Sequence, residues 1–288
     1  MNKISLADMF TLMHLGKSPV KILICVIHGP YEPWLTILRE GQIKTWMSQD
    51  SAIKIVNVFG KAIPNQLLGL DQSIYFKRWS QNRFVAYLSL GVEAGFKTIF
   101  PIKKIKPSVI KSVSPGEPDS WTVQMPDSLL LQGVKNLAAF RASLDEDYDY
   151  LVTTITSSYI NLRKLAEHLT DAEQKSFVGG RIEESGDMQY QQGSFRVFSR
   201  DVVEYIVNNS SNYKHWLIED IAMGRLVNLS YTKFTKIDNF TLHSAESVKR
   251  LTKSDLSRIV SYRCKSIVGN TRTDHEIMQA LNERLTQL

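Results

Sequence analysis

The chain has 288 residues, with 35 Lys plus Arg against 29 Asp plus Glu, a net charge of +6, 43% hydrophobic and 22% charged residues. That composition is ordinary for a globular protein and excludes a disordered tail, a collagen-like repeat and a disulfide-stapled miniprotein. The length suits one large α/β domain or two ordinary ones, with roughly three quarters of the unfolded chain's surface available for burial.

In chain order, the first apolar run is Val20-Lys21-Ile22-Leu23-Ile24-Cys25-Val26-Ile27. It stops at His28-Gly29-Pro30, the pattern of a buried strand feeding a loop. A helix is predicted over residues 34–47 and a second strand over 53–59, ending at Gly60. Strand, loop, helix and strand in this compass describe a βαβ unit, hence a mainly parallel sheet with its functional loops beyond the carboxyl ends of the strands. Residues 80–100 alternate weakly. Residues 101–119, with Pro101, Pro107, Lys103, Lys104, Lys106 and Lys111, read as a long solvated surface loop. Helical spacing then runs over 127–144, a strand over 148–154 and a helix over 161–169. Short strands are expected at 177–180 and 194–198. Ser199 is placed as the N-cap of a helix over 201–207, with Asp201 near its positive end. A helix over 219–226, a strand over 259–266 and a closing helix over 274–285 complete the reading.

Cys25 and Cys264 lie in apolar or strand-like runs without metal spacing and read as two buried thiols in a reducing compartment. The run from Ile22 to Ile27 is far short of the ~20 residues of a spanning helix. Asp8 and His14 break any signal-peptide core, so the chain reads as cytoplasmic. The basic balance fits nucleic acids, anionic membranes or phosphate-bearing ligands. No helix-turn-helix, RRM or zinc signature accompanies it, so a nucleic-acid partner is not expected.

Four segments in order carry a resemblance. Gly41-Gln42-Ile43-Lys44-Thr45-Trp46 resembles an "Ile-Arg-x-Thr-Trp" helix, with spacing one residue different, and Asp127-Ser128 with Leu131, Lys135 and Leu137 resembles "Asp-Ser-Tyr-x-Asn-Leu-Thr-x-Lys". Tyr148-Asp149-Tyr150-Leu151-Val152-Thr153-Thr154 and Tyr159-Ile160-Asn161-Leu162 are similar to "Tyr-Asp-Tyr-Val-x-Lys-Thr" and "Phe-Val-Asn-Leu". Gln192-Gly193-Ser194-Phe195-Arg196-Val197-Phe198-Ser199-Arg200-Asp201-Val202-Val203, then Ile218-Glu219-Asp220-Ile221-Ala222-Met223-Gly224, is similar to "Gly-Gly-x-Tyr-x-Leu-Ser-Arg-Asp-Leu-Val" and "x-Glu-Asp-Val-x-x-Gly". These blocks resemble the fringe and β-1,3-galactosyltransferase families over roughly residues 20–230.

The resemblance implies a GT-A fold: a Rossmann-like, mainly parallel sheet flanked by helices. It would form one domain, with a nucleotide-binding half over 20–150, an acceptor and catalytic half over 151–230 and a C-terminal extension over 231–288. It also implies Asp220 as catalytic base, the alternative being an ordinary acidic pair at a helix start. Those families carry an Asp-x-Asp type triplet where this chain has Ile155, Thr156 and Ser157. Hydroxyls replace hard-cation carboxylate ligands poorly, so no divalent metal and no cofactor are expected. Thr154, Thr156, Ser157, backbone amides and basic side chains would then meet the donor's diphosphate. Arg263 and Lys265 share a strand face, with Arg272 just beyond; charge protecting an edge strand is the competing account. His243 or His275 are further alternatives. His28, Gly29 and Tyr31 in the first loop are placed against the donor nucleotide, as is Arg39, which otherwise is a solvated helix charge. Gly180, Arg181, Gly193, Ser194 and Glu219 are assigned to the acceptor side. Trp121, Trp216 and Tyr190 are weighed as stacking surfaces for sugars.

The implied activity is inverting transfer of a sugar, with dTDP-L-rhamnose as the expected donor and UDP-sugars as the alternative, onto a growing bacterial glycan such as O-antigen or capsule. The acceptor is allowed to be lipid-linked, with peripheral membrane association or membership of a larger polymerase as options. An inactive nucleotide-sugar-binding module is the competing class.

Overall fold

The computed structural model describes residues 20–48, 53–64, 106–113, 118–186, 188–215, 217–268 and 271–288. The amphipathic N-terminal stretch, the weak alternation over 80–100, Lys103, Lys104 and Trp216 lie outside these residues.

The apolar run at the start becomes β1 (Ile22–Ile27), buried at every position. Its continuous hydrophobicity has a direct cause. Ile22, Ile24 and Val26 enter one core, while Leu23, Cys25 and Ile27 enter another on the opposite face of the sheet. A strand covered on both faces needs no polar alternation. β1 pairs in parallel with β2 (Lys54–Lys61) and with β5 (Tyr150–Ile155). Between β1 and β2 lies α1 (Trp34–Thr36), continued by a π-helical turn over Ile37–Ile43. The predicted βαβ unit is therefore present.

β3 (Val109–Ser112), β4 (Asp119–Pro126), β7 (Val178–Ser185), β8 (Met188–Ser199) and β9 (Thr235–Lys236) extend the sheet in the order β3-β4-β2-β1-β5-β8-β7-β9. β4, β2, β1 and β5 run parallel, whereas β8 is antiparallel to both β5 and β7. The architecture is α/β, a central sheet flanked by helices. One face is covered by α2 (Gln132–Ser143), α4 (Arg200–Asn208) and α5 (Glu219–Asn228). On the other lie α1 with its π turn, α3 (Leu162–Thr170), the short α6 (Ala245–Lys249) and α7 (Lys253–Arg258), and the closing α8 (Asp274–Thr286). A small sheet of β6 (Ser158–Ile160), β10 (Asn239–Leu242) and β11 (Ser261–Cys264) has the order β10-β11-β6. β12 (Ile267–Val268) and β13 (Thr271–Arg272) form a hairpin before α8.

Three expectations need correction. The predicted loop over 101–119 contains β3, an edge strand whose mostly exposed side chains give no apolar pattern. The two short strands around 177–180 and 194–198 are the inner ends of a long hairpin, β7–β8, whose outer half is polar and partly exposed. Ser199 stands at the N-cap of α4 but makes no capping bond. Its Oγ instead donates to Asp201 and accepts the Phe177 N–H, stitching β8 to the start of β7. Helices α6 and α7, absent from the sequence reading, each open with a reciprocal capping box, Ser244/Ser247 and Thr252/Asp255. Cys25 and Cys264 are buried free thiols. Among the described residues, no helix is long and apolar enough to cross a membrane.

Candidate active site at the carboxyl ends of the parallel strands

The loop after β1 is anchored from beneath. The His28 N–H donates to Val58 O at 2.9 Å, and the ring stacks on Phe59 with centroids 5.3 Å apart. Nε2 meets Asn57 Oδ1 at 2.9 Å and Nδ1 meets Thr156 Oγ1 at 3.0 Å. Burial strips the imidazolium of water and pushes its pKa down to about 3, so His28 is a neutral brace. Its ring is 1% exposed and is committed to protein partners rather than to a nucleotide. Gly29 lies under Trp34: a Cβ there would come 3.0 Å from Trp34 Cδ1. The Tyr31 hydroxyl accepts the Ile63 N–H. Arg39 stands on the exposed side of the π turn, 3.9 Å from Glu32. Arg272 reaches this loop, its guanidinium 5.0 Å above the Trp34 ring, with Nε 3.1 Å from the buried Asp274.

The Thr156-Ser157 turn between β5 and β6 is held by the segment 41–46. Gly41 packs so closely on α8 that a Cβ would sit 2.7 Å from Met278 Sδ. That approach sets Gln42 and Trp46 under the turn, where Gln42 Nε2 and Trp46 Nε1 each donate to Ser158 O at 3.1 Å. Cys264 N donates to Ser157 O at 2.7 Å from the other side. The hydroxyls of Thr154 and Ser158 both donate to Ser194 O, at 2.7 and 2.9 Å. Ile155, Thr156 and Ser157 offer no carboxylate, and Thr156 Oγ1 is already bonded to His28. This donor set does not suit the hard divalent cation that the resemblance brings to these positions.

A buried ion pair ties three of the strand ends together. Lys135, in the first turn of α2, donates to His28 O at 2.8 Å and to both Asp127 oxygens at 3.0 Å. Asp127 Oδ2 accepts the Gly60 N–H at 2.7 Å. Both side chains are below 10% exposed. Asn136, the next residue on α2, points to a different partner and donates to Glu219 Oε1 at 2.7 Å. Consecutive residues of one helix thus connect the β1 loop with the carboxylates of α5.

Those carboxylates meet a guanidinium supplied by β8. Arg196, 1% exposed, donates from Nη1 to Glu219 Oε1 at 2.7 Å and from Nη2 to Glu219 Oε2 at 2.6 Å. Nη2 also reaches Asp220 Oδ1 at 2.6 Å, and the Gly193 N–H adds a bond to the same oxygen at 3.0 Å. The bonds from Arg196 and Gly193 both fall on Asp220 Oδ1, and the Asp220 side chain is 32% exposed against 11% for Glu219. Burial works against the charge on Glu219, but Arg196 and Asn136 outweigh it and hold the carboxyl below its usual range. Asp220 goes the other way. Burial, together with the neighbouring Glu219 charge, pushes it up to about 7 against the pull of Arg196.

Of the other acceptor-side positions, Gly180 has φ +134° inside β7, where a Cβ would strike Phe195 O at 2.4 Å, so only glycine fits. Arg181 bonds Thr241 Oγ1 at 2.7 Å and Glu183 at 3.3 Å. Ser194 is buried, its carbonyl serving the β5–β6 turn. Arg263 reaches Gln192 Oε1 at 3.4 Å, beside Gly193, while Lys265 lies exposed past the end of β11. Tyr190 packs against Gly224 of α5 and Trp121 is 1% exposed, a core residue. Sequence reasoning left Arg196, Asn136, Lys135 and Gln42 without a role. A signal existed for Arg196: it alternates in phase with Ser194 and Phe198, positions facing the interior of the fold.

No protein-family model matches the sequence, and no curated protein is detectably similar to it. Among solved structures, mouse xyloside xylosyltransferase 1 in its apo form is similar to this chain at 10% identity and a TM-score of 0.37, covering 85% of this chain and 97% of that one. That likeness is too slight to assign fold or activity.

Proposed function

We propose that the chain is an inverting glycosyltransferase of GT-A type, working on a nucleotide-diphosphate sugar with Asp220 as general base. The observation that carries this reading is Asp220 itself, a partly exposed carboxylate whose Oδ1 is clamped by Arg196 and the Gly193 N–H. A base whose pKa lies near the working pH combines a populated carboxylate with useful proton affinity. In the reaction Asp220 takes the proton of an acceptor hydroxyl while that oxygen attacks the anomeric carbon. The bond to the diphosphate breaks, the nucleoside diphosphate leaves with the electron pair, and the configuration inverts.

The diphosphate is met by protein donors and not by a divalent cation. Arg272 beside Trp34, Arg263 beside Gln192, exposed Lys265 and the amides of the Gly29 and Ser157 loops are the groups assigned to it. The absence of carboxylates from the 155–157 turn supports this assignment. For the donor we propose dTDP-L-rhamnose, with UDP-sugars as the alternative, and for the acceptor a growing bacterial polysaccharide such as O-antigen or capsule, made at the cytoplasmic face of the membrane.

The test is release of nucleoside diphosphate from a panel of dTDP- and UDP-sugars with EDTA present. Turnover that survives EDTA and falls about 10²–10⁴-fold in Asp220→Asn is expected. Turnover that needs a divalent cation would refute the metal-independent reading. Donor binding without turnover would identify an inactive binding module.

A further inference from the structure

We infer that Arg196 is the positioning residue of this site, holding the aspartate's inner oxygen so that its outer one faces the acceptor, with Glu219 as its dedicated counter-charge. The inference rests on the reading of Asp220 as base.

Consecutive residues on a helix diverge by about 100°, so Glu219 and Asp220 do not share a partner by default. Here one guanidinium serves both, and its fourth bond, Nε to Gln191 O at 3.2 Å, fixes the plane of the fork. Glu219 takes two bonds of that fork and a third from Asn136, leaving it no free role toward an acceptor. The acceptor-binding assignment of Glu219 is therefore replaced by an internal one. Two carboxylates face one buried cation, so the cluster carries one uncompensated negative charge. That charge is present only when both are ionised, and Asp220, the more exposed member, is the one that takes up a proton to relieve it.

An arginine serving stability alone would be satisfied by the Glu219 fork. The third bond, to Asp220 Oδ1, aims a second carboxylate and ties its proton affinity to both neighbours. The groups facing Asp220 are Arg196 and Tyr190 from β8, Glu219 on α5, and Tyr213, whose hydroxyl donates to Glu219 O at 3.3 Å. The tyrosines are held protonated by burial and stay neutral through the working range. Besides burial, Arg196 and Glu219 are the charges left to set the titration.

The experiment is carboxyl NMR of the full chain carrying ¹³C-aspartate, with the Asp220 signal identified by its loss in Asp220→Asn, alongside nucleoside diphosphate release from the donor that the panel selects. Glu219→Gln should lower the Asp220 midpoint by about one pH unit or more, a tenfold change in proton affinity. Arg196→Met should raise it by a similar amount. Arg196→Lys keeps the charge without the fork, so the midpoint stays within about half a unit while kcat falls about tenfold or more at unchanged donor KM. An Asp220 midpoint unmoved by Glu219→Gln, or full kcat in Arg196→Lys, would overturn the inference; these two variants decide it even if Arg196→Met does not fold. Retained turnover in Asp220→Asn refutes the base instead, and leaves the titration shifts in place.

Discussion

Lys135→Met tests whether the buried ion pair organises the strand ends. The side chain is replaced at nearly constant length, so the perturbation is loss of charge and of donors rather than of volume. The Asp127 carboxylate is left buried with the Gly60 N–H as its one remaining hydrogen-bond partner among the described residues, and the His28 carbonyl loses its lysine donor. Removing one member of a buried pair costs about 3–5 kcal/mol because the other charge stays behind. A chain of 288 residues unfolds with an entropy of about 0.6 kcal/mol/K. A loss of about 4 kcal/mol therefore lowers Tm by about 7 °C. Adding Asp127→Leu removes the stranded charge and should recover about half of the loss, limited by the Gly60 N–H left without its acceptor. Thermal and urea melts of both single variants and the double close the cycle. A Lys135→Met protein melting within about 2 °C of wild type, or strictly additive single effects, would refute the argument.

Further outcomes follow from the same geometry. Gly193→Ala sets a Cβ 2.9 Å from Asp220 Oδ1 and 3.3 Å from Arg196, so kcat should fall about tenfold or more with a stability loss of about 1–3 kcal/mol, read by steady-state kinetics and melting. Because Asp220 is active only as the carboxylate and its pKa is pushed up to about 7, kcat/KM should rise about tenfold per pH unit below 7 and level off above it. The stability sign is opposite. The folded protein keeps the Asp220 proton between about 4 and 7 while the unfolded chain has lost it, so this contribution disappears as pH rises through 7. Asp220→Asn should accordingly gain Tm relative to wild type at pH 8 more than at pH 5. Arg272→Gln should raise donor KM about tenfold with kcat nearly unchanged, as measured with saturating acceptor; a normal donor KM would remove Arg272 from the diphosphate site.

What could be read from the one-dimensional chain is what local chemistry decides. β1 announces itself as an unbroken apolar run because both of its faces are covered, and the βαβ order follows from its spacing to the strand over 53–59. Asp220 was singled out because a distinctive motif surrounds it. The outer half of the β7–β8 hairpin and the edge strand β3 were hidden, since exposed strands carry no hydrophobic period. Gly180 and Gly41 look like any glycine until a carbonyl or a methionine sulfur occupies the space of the missing Cβ. The roles of Arg196, Asn136 and Lys135 were decided only by folding. A charged side chain in a strand or helix is read as solvated unless its counter-charge is known. Here the partners come from elsewhere in the chain: Glu219 lies 23 residues from Arg196 and the His28 carbonyl 107 from Lys135. Burial makes each such pairing obligatory, and even where alternation marks a position as interior, as for Arg196, no local pattern names the partner.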